Sequence, residues 1–583
     1  MDIYKKSSEI ILNAVNEYLE KTYSAALPSN VVCEVPPRPD LGDLATNAAM
    51  VCAKILRKNP RAIAEEFKGV IENLDFVSSA EIAGAGFLNV RFSPSHWDAF
   101  LKDVLVLGND YGSEEEPKNI KINVEFVSAN PTGPLHVGHT RGAILGNSLS
   151  IILKRAGYQV TKEYYVNDHG NQINNLLESI RYRYCQLCGT RLDEVLPPNC
   201  YPGAYINDFA SSLYEQYGSC CVDFSPEDFY ARFKSPAVDY MLSLIKNDLK
   251  SLGIEFDLFT SETDLVESGK VKKALDHLGD LGLTYVGKLP PPVEAKKEEE
   301  DYEVEQLLFR SSAFGDSSDR VVVKANGDLT YFASDIAYHY DKYLRGFNRL
   351  IDVWGADHIG YVPRMQAALK AVSQDNASLS VLLCQMVNFE KDGEPLKMSK
   401  RAGTYVLVSD VLEEVDADIF KIYMLSRNPE SQVTFDLVKL SKESKDSVVF
   451  YVQYAFARTN SLLKKYKEAF GEDYDRKKVD VEGFYATANE SEKALLVNVA
   501  RFPSILRTSA EKYVTHLIVN YISDLAGQFH SYWNTDVKII DPSSKSASDR
   551  NLLLVSAIRE TIGSGLACLG VEPKAFLTRN GEE

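Results

Sequence analysis

Apolar and polar residues alternate with period two at 86–92 (GFLNVRF) and at 120–126 (IKINVEF), which predicts strands. Residues 143–153 (AILGNSLSIIL) stay apolar over a helical length. Gly157 follows as a helix stop. Strand, glycine-bearing turn and helix make the first half of a nucleotide-binding βαβ unit. Further strands are predicted at 349–354, ending at Gly355, Ala356, Asp357 and His358, and at 384–389. The latter turns at Asp392 and Gly393 toward the basic run Lys397, Met398, Ser399, Lys400 and Arg401. The interval from about 160 to 345 is too long for one crossover and must hold insertions. Its Pro290, Pro291, Pro292 and the charge run 296–305 read as an exposed connection.

The ends read differently. The chain opens with an amphipathic helix that turns Ile3, Ile10, Ile11 and Val15 inward. A second helix is predicted to carry 45–53, and 86–92 completes a small α+β unit. Residues 112–119 (GSEEEPKN) are acidic, polar and proline-bearing, as a linker would be. From about 440 onward proline is scarce and the helical pattern steady, with Val448, Val449, Tyr451, Val452, Ala455 and Phe456, and later Leu552, Leu553, Leu554, Ala557 and Ile558, as core positions; residues 578–583 are polar and read as frayed. The expected domains are 1–108, 109–436 and 437–583. The fold class is α/β: a Rossmann-type parallel-sheet domain with insertions, an N-terminal α+β domain and a C-terminal all-α bundle.

Composition narrows the class. At 583 residues the chain exceeds one core, and 45% hydrophobic with 25% charged residues is ordinary globular usage. No apolar run approaches the roughly 20 residues a bilayer span requires, and the N-terminus lacks a signal-peptide core, so a cytoplasmic protein without membrane contact is expected. The nine cysteines are odd in number and irregularly spaced, which favours thiols over a disulfide framework. Cys185 and Cys188 have no second close pair suited to zinc, and no protein-held metal is expected. With 64 basic and 82 acidic residues the net charge is −18, so a polyanionic partner would have to find a confined basic patch.

The chemistry concentrates in 128–139, SANPTGPLHVGH. His136 and His139 at i,i+3 could share a metal, but the glutamate of a His-Glu-x-x-His site is missing. Their place at a helix mouth points instead to phosphate. Unpaired amides and the helix dipole favour anions there, and Gly133 and Gly138 let a nucleotide lie close to the backbone. Imidazoles can donate to phosphate oxygens as charge builds on them. The run 397–400, KMSK, follows a strand and turn and is flanked by Gly403. Two ammonium groups there suit a departing pyrophosphate.

The paired HVGH and KMSK elements resemble those of class I aminoacyl-tRNA synthetases. The longer SANPTGPLHVGHTRGA, with YYVNDHG at 164–170, YPGAYI at 201–206, EQLLFRS at 305–311, YFASDIAY at 331–338, YVQYAFAR at 451–458 and GDLATN at 42–47, is similar to the arginyl-tRNA synthetase family over nearly the whole chain. The resemblance implies that arginine is activated with ATP and Mg²⁺ to the adenylate, releasing pyrophosphate, and that the arginyl group passes to the terminal adenosine of tRNA(Arg). It also implies that activation waits for tRNA, and that the protein acts as a monomer. By resemblance His136, His139, Lys397 and Lys400 carry the phosphoryl chemistry. Pro131, Thr132, Gly133, Pro134, Leu135, Val137, Gly138, Gly355, Asp357, His358, Met398 and Ser399 hold ATP. Glu125, Ser128, Ala129, Asn130, Tyr331 and Asp335 hold L-arginine, with Asp335 on the guanidinium. Some members carry glutamine directly before the aspartate where this chain has Ala356. The rivals are a simpler nucleotidyltransferase, which would have no use for the flanking domains, and a silent RNA-binding paralogue, which would have no reason to keep both histidines and Lys400.

Overall fold

The computed structural model describes residues 2–190, 195–289, 304–395, 406–436, 448–534 and 538–574. The chain divides into two compact units, Met1–Glu115 with Val448–Tyr513 and Leu517–Glu583, and Glu116–Ser447 with Val514–His516.

The first unit opens on α1 (Ile3–Tyr23), capped by the Asp2 carboxylate on the Lys5 amide. Ile3, Ile11 and Val15 are buried, but Ile10 is 46% exposed, because adjacent helical residues lie about 100° apart and Ile11 takes the core side. Strands β1 (Cys33–Glu34), β2 (Leu44–Thr46), β3 (Val77–Ala83) and β4 (Phe87–Phe92) form an antiparallel sheet in the order β1-β2-β4-β3. Helices α2 (Ala48–Leu56), α3 (Pro60–Glu72) and α4 (Pro94–Leu107) accompany it. Ala45 and Thr46, expected in a helix, are strand: Thr46 Oγ1 bonds the Val32 carbonyl, and the helix starts two residues later.

In the second unit the main sheet is wholly parallel, in the order β12-β11-β5-β6-β7. Its strands are β5 (Lys121–Glu125), β6 (Gln159–Val166), β7 (Leu258–Ser261), β11 (Arg349–Gly355) and β12 (Ser378–Cys384). Helix α5 (Val137–Arg155) links β5 to β6, and Gly157 at φ +88° ends it as expected. The insertion holds α6 (Asn171–Leu187), α7 (Ala204–Tyr217), α8 (Pro226–Ser251), α9 (Glu262–Glu267) and α10 (Lys270–Asp280). It also holds an antiparallel sheet of β8 (Thr284–Gly287), β9 (Gln306–Phe309) and β10 (Arg320–Val323). Residues 290–303 lie outside the described residues. Helices α11 (Tyr331–Leu344) and α12 (Val362–Ser373) flank β11.

Residues 384–389, expected as one strand, are the junction of two. Strand β12 ends at Cys384, and β13 (Val387–Lys391) begins a separate sheet with β14 (Glu394–Pro395) and β15 (Val433–Asp436). The turn at Asp392 and Gly393 is as expected: both have positive φ and join paired strands in a two-residue hairpin. Helices α13 (Val408–Glu414) and α14 (Ala417–Leu425) precede β15.

The regular elements in the described C-terminal part of the first unit are all helices: α15 (Val448–Phe470), α16 (Phe484–Thr487), α17 (Glu490–Ala500), α18 (Phe502–Lys512), α19 (His516–Trp533) and α20 (Lys545–Cys568). Leu552, Leu553, Leu554, Ala557 and Ile558 are all buried. The bundle joins the N-terminal part of its unit by specific bonds. Ser564 Oγ donates to the Tyr111 carbonyl at 2.7 Å, Tyr111 Oη to the Val499 carbonyl at 2.9 Å, and Trp97 stacks on Tyr485. Residues 578–583 lie outside the described residues. No helix among the described residues is long and apolar enough to cross a membrane.

Candidate active site

The order β12-β11-β5-β6 places the topological switch point at the carboxyl end of β5, where open α/β sheets bind ligands. The turn leaving β5 is strained. Val127 and Ser128 have φ of +66° and +41°, a region a β-branched residue rarely enters. Its surroundings over-determine it. Ser128 Oγ donates to Glu125 Oε1 at 3.0 Å and accepts the Tyr165 amide at 3.1 Å. Asn167 Nδ2 donates to the Ser128 carbonyl at 3.2 Å, and Tyr164 Oη to the Ala129 carbonyl at 2.8 Å. Asn130, one residue on, is exposed.

The loop that follows is clamped from the insertion. Asp248 on α8 accepts the Leu135 amide at 2.7 Å, and burial raises the Asp248 carboxyl. Tyr201 hydrogen-bonds Thr132. A methyl group at Gly133 would lie 2.6 Å from the Tyr205 ring, so only glycine permits this approach. Pro131 is buried, and Pro134 is half-buried beside it.

At the mouth of α5 the His136 and His139 rings lie 3.9 Å apart between centroids. His136 Nδ1 accepts the Gly138 amide at 3.1 Å, so a neutral ring carries its hydrogen on Nε2. A Cβ at Gly138 would lie 2.8 Å from that ring. The helix mouth differs from expectation in one respect. The Val137 amide donates to the Val406 carbonyl at 3.0 Å, Gly138 to His136, and His139 to the His136 carbonyl at 2.9 Å. These first-turn amides are already engaged, so the imidazoles and the helix dipole, not the amides, are what this mouth offers to an anion. The return strand is antiparallel, with Val408 N–H on the Leu135 carbonyl at 3.2 Å. Lys397, Met398, Ser399 and Lys400 lie outside the described residues.

Gly355, Asp357 and His358 follow the carboxyl end of β11 and are exposed, with His358 Nε2 3.6 Å from Asp357. On α11, Tyr331 and Asp335 are separated by one turn. Tyr331 is 75% exposed, and its hydroxyl approaches Gly170. Asp335 Oδ2 accepts the Tyr361 hydroxyl at 2.5 Å, while burial raises the carboxyl against that bond. Glu125 is buried, and its Oε2 lies 2.6 Å from Lys342 Nζ.

Sequence reasoning missed three residues here. Glu262, buried at the first turn of α9, is pushed up to about 7 by burial and by the neighbouring Asp335 and Asp168. Asp168 fixes it, accepting Ser261 Oγ at 2.6 Å and the Thr263 amide at 2.9 Å. Tyr361 is the third. Asp168 stood within the YYVNDHG stretch, whereas nothing local marks Glu262 or Tyr361. Glu262, Asp335, Glu125 and Asp168 all bear on buried Tyr165. Four carboxylates gathered about one tyrosine are suited to a cation.

Residues 100–186 match the catalytic domain of class I (R) tRNA synthetases, 9–92 the arginyl tRNA synthetase N-terminal domain, and 452–576 the DALR anticodon binding domain. The chain is 41% identical over 581 residues to an arginine–tRNA ligase of Jannaschia sp., covering 98% of this chain and 99% of that one. The chain belongs to the class I arginyl-tRNA synthetase family. A relative from Rickettsia prowazekii, of the same printed name, is 40% identical over 579 residues, 98% of this chain and 99% of that one. Among solved structures, a putative arginyl-tRNA synthetase from Campylobacter jejuni superposes with TM-score 0.71 at 33% identity, covering 83% of this chain and all of that one. The Thermus thermophilus arginyl-tRNA synthetase, 21% identical, shares the fold with TM-score 0.70 over 98% of this chain and 100% of that one.

Proposed function

We propose the following chemistry for this chain, which as a member of its family is an arginine–tRNA ligase that uses ATP. The arginine carboxylate attacks the α-phosphorus of ATP, which enters with Mg²⁺. The bond to the β-phosphate breaks in line, and pyrophosphate leaves. A hydroxyl of the terminal adenosine of tRNA(Arg) then attacks the arginyl carbonyl and releases AMP. Neither step needs a protein nucleophile, so positioning and charge carry the rate.

His136 and His139 donate to phosphate oxygens, and Lys397 and Lys400 meet the pyrophosphate. The loop Pro131 to Gly138, with Gly355, Asp357 and His358, seats the nucleotide, and Met398 and Ser399 belong to the same reading. Asn130, with Ala129 and Ser128, takes the arginine amino or carboxylate group. Asp335 pairs with the guanidinium, Tyr331 covers it, and Glu125 adds negative potential. To this reading Glu262 joins as a second carboxylate for the guanidinium. Of Tyr454 and Phe456, Tyr454 is the more exposed, at 36%, and is the candidate to meet an anticodon base, whereas Phe456 is core. The protein works as a monomer.

The observation that carries the reading is the neighbouring pair of carboxyls, Asp335 and Glu262, with Glu262 directly after the carboxyl end of β7 in the sheet whose central strand feeds the histidine mouth. Arginine-dependent ATP–pyrophosphate exchange, with and without tRNA(Arg), tests it. Exchange with arginine only, and only when tRNA is present, is expected; exchange driven by another amino acid would overturn it.

A further inference from the structure

Three carboxylates stand side by side across the middle of the main sheet. Pairing sets Asp352 of β11 beside Glu125 of β5, and Glu125 beside Glu163 of β6. All three are buried, and like charges directly opposite one another are destabilising. Helix α11 answers with two bases, His339 and Lys342, and its C-cap Arg345 adds a third. His339 Nε2 lies 2.9 Å from Asp352, and Arg345 Nη2 lies 2.9 and 3.0 Å from the two Glu163 oxygens. Lys342, whose side chain has no exposure, sits between them, 2.6 Å from Glu125 and 3.3 Å from Asp352.

His339 is the informative member. Its Nδ1 lies 2.8 Å from the Asp335 backbone carbonyl and its Nε2 on the Asp352 carboxylate. Both partners only accept, so both ring nitrogens must donate and the ring is an imidazolium. The direction of its titration agrees, since Asp352 and Glu125 raise it against burial.

Bulk stability does not account for such a seam, because well-packed apolar residues hold a helix to a sheet at least as well. What paired buried charges add is register: a slip or rotation of α11 would leave them unmatched. Asp335 lies one turn before His339 and is bonded to it through its own carbonyl. We propose that His339 and Lys342 are positioning residues that fix the height and rotation of the Asp335 carboxylate, and thereby the affinity for the guanidinium group of the substrate. The inference rests on the reading of Asp335 given above.

Charge acts in the same direction. The groups facing Asp335 are Tyr361, His339, Lys342, Asp352 and Glu262, and of these His339 and Lys342 are the cations that favour its ionised form. Around His339 stand Asp352, Lys342 and Glu125, with Tyr338 at its edge. Loss of the imidazolium therefore also makes Asp335 harder to ionise.

The experiment measures KM for arginine and for ATP, kcat and the melting temperature of the full chain with tRNA(Arg), for Asp335→Asn, His339→Gln and Arg345→Met. His339→Gln is expected to raise the arginine KM about ten- to a hundred-fold. Its ATP KM should stay within about twofold, and its arginine-KM profile should shift to higher pH. Arg345→Met, at the far end of the seam, should lower the melting temperature and leave the arginine KM within about twofold. If His339→Gln lowers only the melting temperature, or weakens arginine and ATP alike, the residue is structural and the inference falls. A strong effect of Asp335→Asn with none from His339→Gln overturns the inference alone; no effect of Asp335→Asn overturns the reading of Asp335 and the inference with it.

Discussion

Strand β5 is covered on its two faces by unlike means. On one side Phe126, the residue that follows the strand, presses against α5, so closely that a Cβ on Gly146 would fall 2.2 Å from the Phe126 side chain. On the other face Glu125 meets Lys342 of α11 in a seam of ions. The helix that begins with the histidines is thus mounted by dry close contact, and the helix that bears Asp335 by charge. Close apolar packing resists added volume, down to a single methylene, whereas matched buried charges resist a slip that would leave one of them unpaired. On the proposed reading, the phosphate end has a firm platform and the amino-acid end a defined geometry.

This contrast can be broken from its stronger side first. Lys342→Met strands Glu125 and Asp352 without their shared cation and should cost about 3–5 kcal/mol in denaturant unfolding. Adding Glu125→Gln should recover part of the loss, and a loss no larger than that of a surface lysine would refute the seam. On the apolar face Gly146→Ala should cost about 1–3 kcal/mol by overpacking Phe126, with Phe126→Leu in the same chain relieving it.

Glu262 sharpens the comparison through pH. Its carboxyl titrates at about 7, so it is mostly neutral at pH 6 and mostly charged at pH 8. Arginine should therefore bind more tightly as pH rises, with KM falling about tenfold across that window, as a hydrogen bond to a charged group warrants. Glu262→Gln should flatten the profile. The stability effect has the opposite sign. Because the folded group holds its proton longer than the free side chain at 4.5, the substrate-free protein should lose stability from this group as pH rises from 4.5 to about 7. The smallest effect is expected from Asp248→Asn, which keeps an acceptor for the Leu135 amide but removes its charge. It should cost about 0.5–1.5 kcal/mol, read as a small change in melting temperature.

Much of this was legible in the sequence where a pattern repeats locally. The strand at 120–126, the helix after it, the hairpin at Asp392 and the C-terminal helical core all follow from periodicity and turn chemistry. The histidine pair declared itself through its turn. What escaped depends on distant partners. Ala45 and Thr46 have helical neighbours but pair with β1 and β4; a largely apolar run, in which Gln385 is the one polar residue at the join, hid the break after Cys384, where the chain changes sheets. Of the amides expected to await an anion, that of Val137 is filled by Val406, from a segment some 270 residues downstream, and those of Gly138 and His139 by His136. Glu262 and Tyr361 acquire their chemistry only through the burial and neighbours that folding supplies.

The left-handed turn at Val127 and Ser128 bears on how this protein is made and unmade. No isolated peptide would choose that backbone, so the seat beside Asn130 can exist only after β6 and the Asn167 side chain have arrived to hold it. Amide exchange at Ser128 should then be released before the sheet opens, so that the proposed amino-acid seat forms late and loosens early on warming.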